Sequence, residues 1–89
     1  MVSVKYKRFK QKYQYGEYLL KQARKEYTLY TFTIDDTHIY MGDTPIMCWG
    51  KDIEEMLKTD FSWEKMDTMQ GYLFSLIDIQ IHCHWYGSI

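Results

Sequence analysis

The chain has 89 residues, of which 18% are aromatic and 26% charged, and its formal net charge is −1 at neutral pH. This length allows one hydrophobic core and leaves no room for a second domain, and no apolar run approaches the roughly 18 residues of a membrane span. Two cysteines are too few for the disulfide framework of a small secreted domain and the N-terminal residues lack the apolar segment of a signal peptide, so we expect a cytoplasmic protein.

The charges are divided unevenly along the chain. Residues 1–26 hold eight basic and two acidic side chains, whereas residues 27–89 hold three basic and ten acidic ones. Two such halves can attract each other within the fold, or they can present faces of opposite sign to partners.

The first part of the chain predicts a strand followed by a helix. Residues 2–7 alternate apolar and polar side chains, which is the pattern of a half-buried strand, although Tyr6, Phe9 and Tyr13 also fit a helical stripe. Apolar positions then recur at helical spacing, which predicts an amphipathic helix over about residues 16–26.

A β-hairpin is predicted next. Residues 27–34 and 38–41 are rich in β-branched and aromatic side chains, and Asp35-Asp36-Thr37 lies between them as a turn. A second turn at residues 42–45 leads to a further strand at residues 46–49.

Two helices and a long strand are predicted in the remainder. Asp52 lies at or near the start of a helix that ends at about Lys58, and Asp60 or Ser62 caps a short second helix that ends at about Met69. From Leu73 to Trp85 every odd position is apolar or small, which predicts a strand whose second half exposes one face.

The elements together predict the fold class. We expect one α+β domain over residues 1–89, a small single domain with an antiparallel sheet and two or three helices, in the ferredoxin-like order βαββαβ. The best candidates for its core are Phe32, Trp49, Phe74 and Trp85. Tyrosines near the N-terminus are expected to stay partly exposed and to form a contact surface, because a buried hydroxyl needs a partner: Tyr6, Tyr13, Tyr15 and Tyr18.

A basic and aromatic run near the N-terminus is the first candidate site. Cations beside rings are the chemistry that binds single-stranded nucleic acid, although the hairpin lacks the basic-Gly-aromatic motif of RNA-recognition modules. The residues of this alternative are Lys5, Tyr6, Lys7, Arg8, Lys10, Lys12 and Tyr13.

A metal site is a weaker candidate. On a strand, His82 and His84 would point the same way and could share a metal ion, but two ligands are not a site. A metal-dependent enzyme is therefore only a second alternative, and Cys48 and Cys83 are expected to be small core residues rather than nucleophiles. With no further catalytic or cofactor motif in the sequence, we expect a protein that is not an enzyme and needs no cofactor.

Acidic residues of the C-terminal two-thirds form the third candidate site. Carboxylates spaced along turns and helices can imitate a run of phosphates and occupy the basic groove of a nucleic-acid-handling protein. The predicted contact residues are Asp52, Glu54, Glu55, Asp60, Glu64 and Asp67.

These observations predict a small protein-interaction domain with a protein partner. In type, it resembles the short accessory proteins with which phages and mobile elements inhibit host defence complexes, anti-CRISPR proteins included, although no motif carries this resemblance. A homodimer formed through a free strand edge is a further expectation.

Overall fold

The computed structural model describes the backbone of residues 4–86 and the side chains of residues 10–83. Over this range the elements are α1 (Val4–Glu26), β1 (Phe32–Ile34), β2 (His38–Met41), β3 (Thr44–Cys48), α2 (Trp49–Lys58) and α3 (Trp63–Tyr86). The strands form one antiparallel sheet in the order β1-β2-β3. The α+β class is therefore confirmed.

Helices α1 and α3 lie side by side and run in the same direction. Tyr18 of α1 contacts Gln70 of α3, and Tyr27, just beyond α1, contacts Asp78 further along α3. Each helix extends past the other at one end, which gives the molecule principal extents of 53 × 25 × 21 Å.

The strand predicted over residues 2–7 is wrong from Val4 onward, where α1 has already begun; residues 2 and 3 lie outside the described range. The helical alternative was correct for this segment, because α1 runs without interruption from Val4 to Glu26, and Leu19 and Ala23 further along it are fully buried. Arg24 and Lys25 in the last turn complement the helix dipole, and the Arg24 guanidinium also donates to the carbonyl of Phe32 (2.8 and 3.2 Å). This bond holds the end of α1 against β1.

The predicted hairpin is confirmed, with a shorter first strand. Phe32 pairs with Met41 and Ile34 with Ile39. One face of the sheet packs against the helices, and it contributes the buried residues Phe32, Ile39 and Met47 to the core.

Helix α2 begins at Trp49, three residues before the predicted start at Asp52. The reason is tertiary: the carbonyl of Thr37 in the hairpin turn accepts the Gly50 N–H at 3.2 Å, so no capping side chain is needed. Gly50 is required there, because a Cβ would collide with the carbonyl of Asp36.

The long strand predicted over residues 73–85 is wrong, because the helix predicted to end at about Met69 continues to Tyr86 as α3. Ser62 caps this helix by accepting the Lys65 N–H at 3.2 Å, as predicted for one of its two candidate caps. Fully buried Met66, Leu73 and Ile77 lie at helical spacing and form its core side.

The resulting order is αβββαα, so the ferredoxin-like order βαββαβ is not observed. Both strands that it required at the ends of the chain are helical within the described residues. No described helix has the length and apolar content needed to cross a bilayer.

The four residues predicted to form the core differ in how deeply they are buried. Phe32 and Trp49 are buried as predicted, whereas Phe74 is half-buried with its ring 5.4 Å from that of Tyr27. The side chain of Trp85 lies outside the described range.

Candidate protein-interaction surface

Four aromatic rings meet near the start of α3 and form what we call the aromatic cluster: Tyr15, Tyr18, Phe61 and Trp63. The ring of Tyr15 lies 4.5 Å from Phe61 and 5.9 Å from Trp63, measured between centroids. Tyr18 and Phe61 each lie 5.5 Å from Trp63, with their rings edge-on to it. These are the separations and tilts that favour aromatic pairs.

The local structure explains how these rings come together. Tyr15 and Tyr18 are three residues apart on α1 and therefore lie on the same side of that helix. The connection from α2 returns Phe61 to this side, and Ser62 then begins α3 so that Trp63 occupies its first turn. Tyr18 is held further by its hydroxyl, which donates to Oε1 of Gln70 at 3.3 Å.

Trp63 is the most notable member of the aromatic cluster, because 56% of its surface is exposed although three rings hold it in place. An exposed tryptophan whose orientation is fixed is a candidate binding residue, because Trp is enriched among the residues that dominate binding energy. The geometry thus provides a preorganised apolar anchor.

Carboxylates surround this anchor. Asp60, Glu64 and Asp67 are exposed and lie within four residues of Trp63, with Asp67 one helical turn beyond it. Lys65 contacts Asp60, with a distance of 3.8 Å between Nζ and the carboxylate and a 2.7 Å hydrogen bond to its carbonyl. Among the described residues, no ion pair involves Glu64 or Asp67, so their charges are available to a partner.

The other predicted acidic contacts are exposed but lie elsewhere. Glu54 forms ion pairs with Lys12 at 3.7 Å and with Lys58 at 3.5 Å. Asp52 lines a groove of about 320 Å³ between α2, β3 and α3, together with Tyr72 and Leu76. Glu55 is exposed on α2. The structure thus gathers three of the six acidic residues around the aromatic cluster and divides the rest.

The basic run lies on α1 rather than on a strand. The side chains of Lys5, Tyr6, Lys7 and Arg8 fall outside the described range. Lys10 is exposed, but Lys12 is half-buried, paired with Glu54 and 5.8 Å from the ring centre of Trp49. Tyr13 packs edge-on to the same ring at 6.4 Å. Both therefore serve the contact between α1 and α2.

The metal hypothesis assumed that His82 and His84 lie on a strand, but both residues belong to α3. Residues 82 and 84 are two apart on a helix, where they lie about 200° apart around the axis instead of on one side. No group of three or more His, Cys, Asp or Glu in the described part of the chain could hold a metal ion. Cys48 and Cys83, expected in the core, are both exposed.

Two ionisable groups have strongly shifted pKa values. The Asp35 carboxylate accepts hydrogen bonds from the Tyr40 hydroxyl at 2.6 Å, from the His38 N–H at 2.8 Å and from the Thr37 N–H at 2.9 Å, which hold its pKa well below its usual range. Burial, followed by the hydrogen bond to Asp78 at 2.8 Å, raises the pKa of Tyr27 to about 12. The hydrogen bonds of Asp35 lie within the hairpin turn, and that of Tyr27 joins the end of α1 to α3. These structural contacts account for the two pKa shifts.

Sequence reasoning identified half of the aromatic cluster. Tyr15 and Tyr18 were predicted to be partly exposed, and both are half-buried. Phe61 and Trp63 were missed, although two large aromatic residues beside Ser62 in an acidic segment were a usable signal. No known protein family, curated protein or solved structure matches the chain significantly.

Proposed function

We propose that the chain is a non-enzymatic protein-interaction domain that binds a basic partner through the aromatic cluster and the carboxylates around it. The observation that carries this proposal is the exposure of Trp63, which is 56% accessible while Tyr15, Tyr18 and Phe61 fix its ring. A rigid aromatic side chain loses little conformational entropy when a partner covers it.

The carboxylates suggest the chemistry of that partner. Glu64 and Asp67 beside an apolar anchor favour a surface with Lys or Arg around an apolar pocket, and charges of this kind increase association rates and select partners. A basic groove that normally holds nucleic acid has this chemistry. The proposed role is that of an accessory protein which occupies such a groove in a host nucleic-acid-handling or defence complex, as anti-CRISPR proteins of phages do.

Affinity capture from extracts of the host cell, with identification of the retained proteins by mass spectrometry, tests this role. We expect Trp63→Ala and the double change Glu64→Lys with Asp67→Lys each to lose a partner that the unchanged chain retains. Asp43→Lys is the matched control, because it also reverses an exposed carboxylate but lies in the turn between β2 and β3. The proposal fails if Asp43→Lys reduces capture as much as the double change.

Salt dependence and competition test the electrostatic part. Partner binding should weaken as salt rises, because exposed charges are screened over about 10 Å at 0.1 M. The nucleic acid that the partner normally binds should compete with the chain for the groove. Binding that is unaffected by salt and by nucleic acid would refute phosphate mimicry and leave only an apolar contact.

Direct binding of single-stranded nucleic acid is the rival function, and the engagement of Lys12 by Glu54 weakens it. An anisotropy titration with labelled single-stranded DNA and RNA at about 50 mM salt distinguishes the two, since phosphate contacts are strongest at low salt. We expect no saturable binding. Tight binding that is lost on Lys10→Glu would favour the rival.

A further inference from the structure

Helices α2 and α3 each begin with a tryptophan and carry a carboxylate about one turn later. Trp49 is the first residue of α2, and Glu54 follows it on the same helix. Trp63 is the first residue of α3, and Asp67 follows it. The two tryptophans differ in their surroundings, because Trp49 is fully buried whereas Trp63 is 56% exposed. The same pair of side-chain types thus occurs once inside the fold and once on its surface.

At the buried tryptophan, a cation completes the arrangement. Lys12 of α1 places its Nζ 5.8 Å from the centre of the Trp49 ring and 3.7 Å from a carboxylate oxygen of Glu54. The face of an aromatic ring and a carboxylate both attract a positive charge, so Lys12 makes two favourable contacts at once. The chain itself therefore shows which kind of group fits beside a tryptophan and a carboxylate placed in this way.

At the exposed tryptophan, the ring and the carboxylates are present without the cation. No lysine or arginine of the described residues lies over the Trp63 ring, and neither Glu64 nor Asp67 is in an ion pair there. Lys65 contacts Asp60 instead. The three neighbouring rings are inclined to the Trp63 ring by 68°, 70° and 80°, so none of them occupies the position that a stacked group would take. A cationic group is the missing part.

We propose that an arginine of the binding partner covers Trp63, with its guanidinium stacked on the ring and paired with Glu64 or Asp67. This contact rests on the proposed function and specifies which side chain of the basic partner Trp63 recognises. A guanidinium is planar and weakly hydrated, and it can lie on an aromatic face while its N–H groups donate to a carboxylate. One arginine therefore uses the ring and the charge of this surface together.

The exposure of Trp63 favours arginine over lysine. Lys12 can contact Trp49 because α1 brings it there and leaves only 17% of its side chain exposed. A lysine that arrives from another molecule would have to give up part of a strongly held hydration shell, whereas an arginine gives up less. Since cation–π contacts at exposed sites are individually weak, the expected preference for arginine is about two- to fivefold in Kd.

Peptide titration of the unchanged chain tests this preference. The probes are short Gly and Ser peptides that carry arginine, lysine or citrulline at the same positions, since citrulline keeps the planar shape of arginine without its charge. Two-dimensional NMR of the isotope-labelled chain follows the indole N–H of Trp63, which is assigned from its loss in Trp63→Phe. The indole N–H of Trp49, buried and bonded to the carbonyl of Asp35, is the internal control and should not move.

The three peptides should give different results. The arginine peptide should shift the Trp63 signal saturably, with a Kd on the order of 1–10 mM for one exposed contact of this kind. The lysine peptide should bind about two- to fivefold more weakly, and the citrulline peptide should not shift the signal.

Substitutions separate the contribution of the ring from that of the carboxylates. Trp63→Leu keeps an apolar side chain but removes the aromatic face, so the preference for arginine should disappear; binding is then followed on the backbone N–H signals of α3. Glu64→Gln combined with Asp67→Asn removes the charges at nearly constant shape and should weaken arginine-peptide binding by about two- to fivefold. Asp43→Asn is the matched control, because it neutralises an exposed carboxylate in the turn between β2 and β3. It should change nothing.

Equal affinities for the arginine and lysine peptides would overturn the arginine contact. So would a Trp63 signal that does not move at tenfold the expected Kd, or a preference that persists in Trp63→Leu.

The proposed function can fail separately, because affinity capture needs a host partner and the peptide titration does not. A captured partner that is lost on Trp63→Ala but retained on Trp63→Leu would leave the proposed function in place and refute the stacked arginine. A clear arginine preference without any captured partner would support the arginine contact and remove the proposed host role.

Discussion

At the scale of single residues, Asp35 accepts hydrogen bonds from several parts of the hairpin and from α2. One oxygen of its carboxylate accepts the N–H groups of Thr37 and His38, the other accepts the Tyr40 hydroxyl, and its backbone carbonyl accepts the Trp49 indole N–H at 3.2 Å. The sequence predicted the turn, because Asp in this position commonly bonds the backbone that follows it. It could not predict the bond from Trp49, which depends on where α2 packs.

The low pKa of Asp35 leads to a prediction about acid. A carboxylate whose pKa in the folded state lies below its ordinary value of about 3.9 contributes stability above that pH, and this stability is lost as the pH falls below it. We therefore expect Asp35→Ala to lower the melting temperature clearly at pH 7 and much less near pH 2. Thermal unfolding followed by circular dichroism at both pH values measures the difference.

Asp36→Ala is the matched control, because Asp36 is the exposed neighbour in the same turn. It should change the melting temperature little at either pH. Equal effects of the two substitutions would mean that the hydrogen bonds of Asp35 do not stabilise the hairpin.

At the scale of secondary-structure elements, the sequence predicted the hairpin correctly but predicted a strand in the densely apolar segment that forms α3. The hairpin was predictable from its turn and its β-branched residues. In α3, by contrast, almost every position from Tyr72 to Ile77 is apolar, so strand alternation and helical spacing both fit. The choice was made by packing, because α3 places one row of these residues against α1 and the sheet, and no feature of the isolated segment reveals that surface.

Two isoleucines distinguish the helix from the strand experimentally. Strand alternation would place Ile77 and Ile79 on the same face, whereas in α3 Ile77 is fully buried and Ile79 is 60% exposed. We expect Ile77→Ala to lower the free energy of unfolding by about 2–5 kcal/mol, the usual cost of such a cavity. Ile79→Ala should cost less than about 1 kcal/mol, since surface substitutions have small effects.

Urea unfolding of both variants under the same conditions measures both values. Similar losses for the two variants would contradict a helix over this segment and restore the strand.

At the scale of the whole molecule, Trp49 joins elements that are distant in sequence. Its buried ring lies against Gly16 of α1, its indole N–H reaches the hairpin turn, and its backbone begins α2. Lys12 and Glu54 meet beside it, so the basic and acidic halves of the chain attract each other within the fold. The sequence indicated both the burial of Trp49 and the attraction of opposite charges, but not that they occur at one place.

Substitution of Gly16 tests the packing of Trp49 against α1. A Cβ at this position would lie 2.5 Å from the Trp49 ring, so Gly16→Ala should be destabilising by about 1–3 kcal/mol even though alanine favours helix. Gly71→Ala, where a Cβ meets nothing, should instead stabilise the fold by up to about 1 kcal/mol. Opposite signs in urea unfolding are the expected result, and a stabilising Gly16→Ala would show that the ring can move away.

Only part of the aromatic cluster could be predicted from the sequence. Tyr15 and Tyr18 were found because tyrosines on a small domain seldom become fully buried. Trp63 could not be placed, because its exposure depends on α3 starting beside α1, a contact between residues about 50 positions apart in the chain.

The parallel arrangement of α1 and α3 determines how the protein should be attached to a solid support. Because the two helices overlap only in part, the first turn of α1 lies at the end of the long axis nearer to the aromatic cluster, and the last turn of α3 lies at the opposite end. A biotin or resin linkage at the C-terminal side therefore leaves Trp63 facing the solution. The same linkage at the N-terminal side brings the support close to that surface, so bait orientation alone can decide whether a partner is recovered.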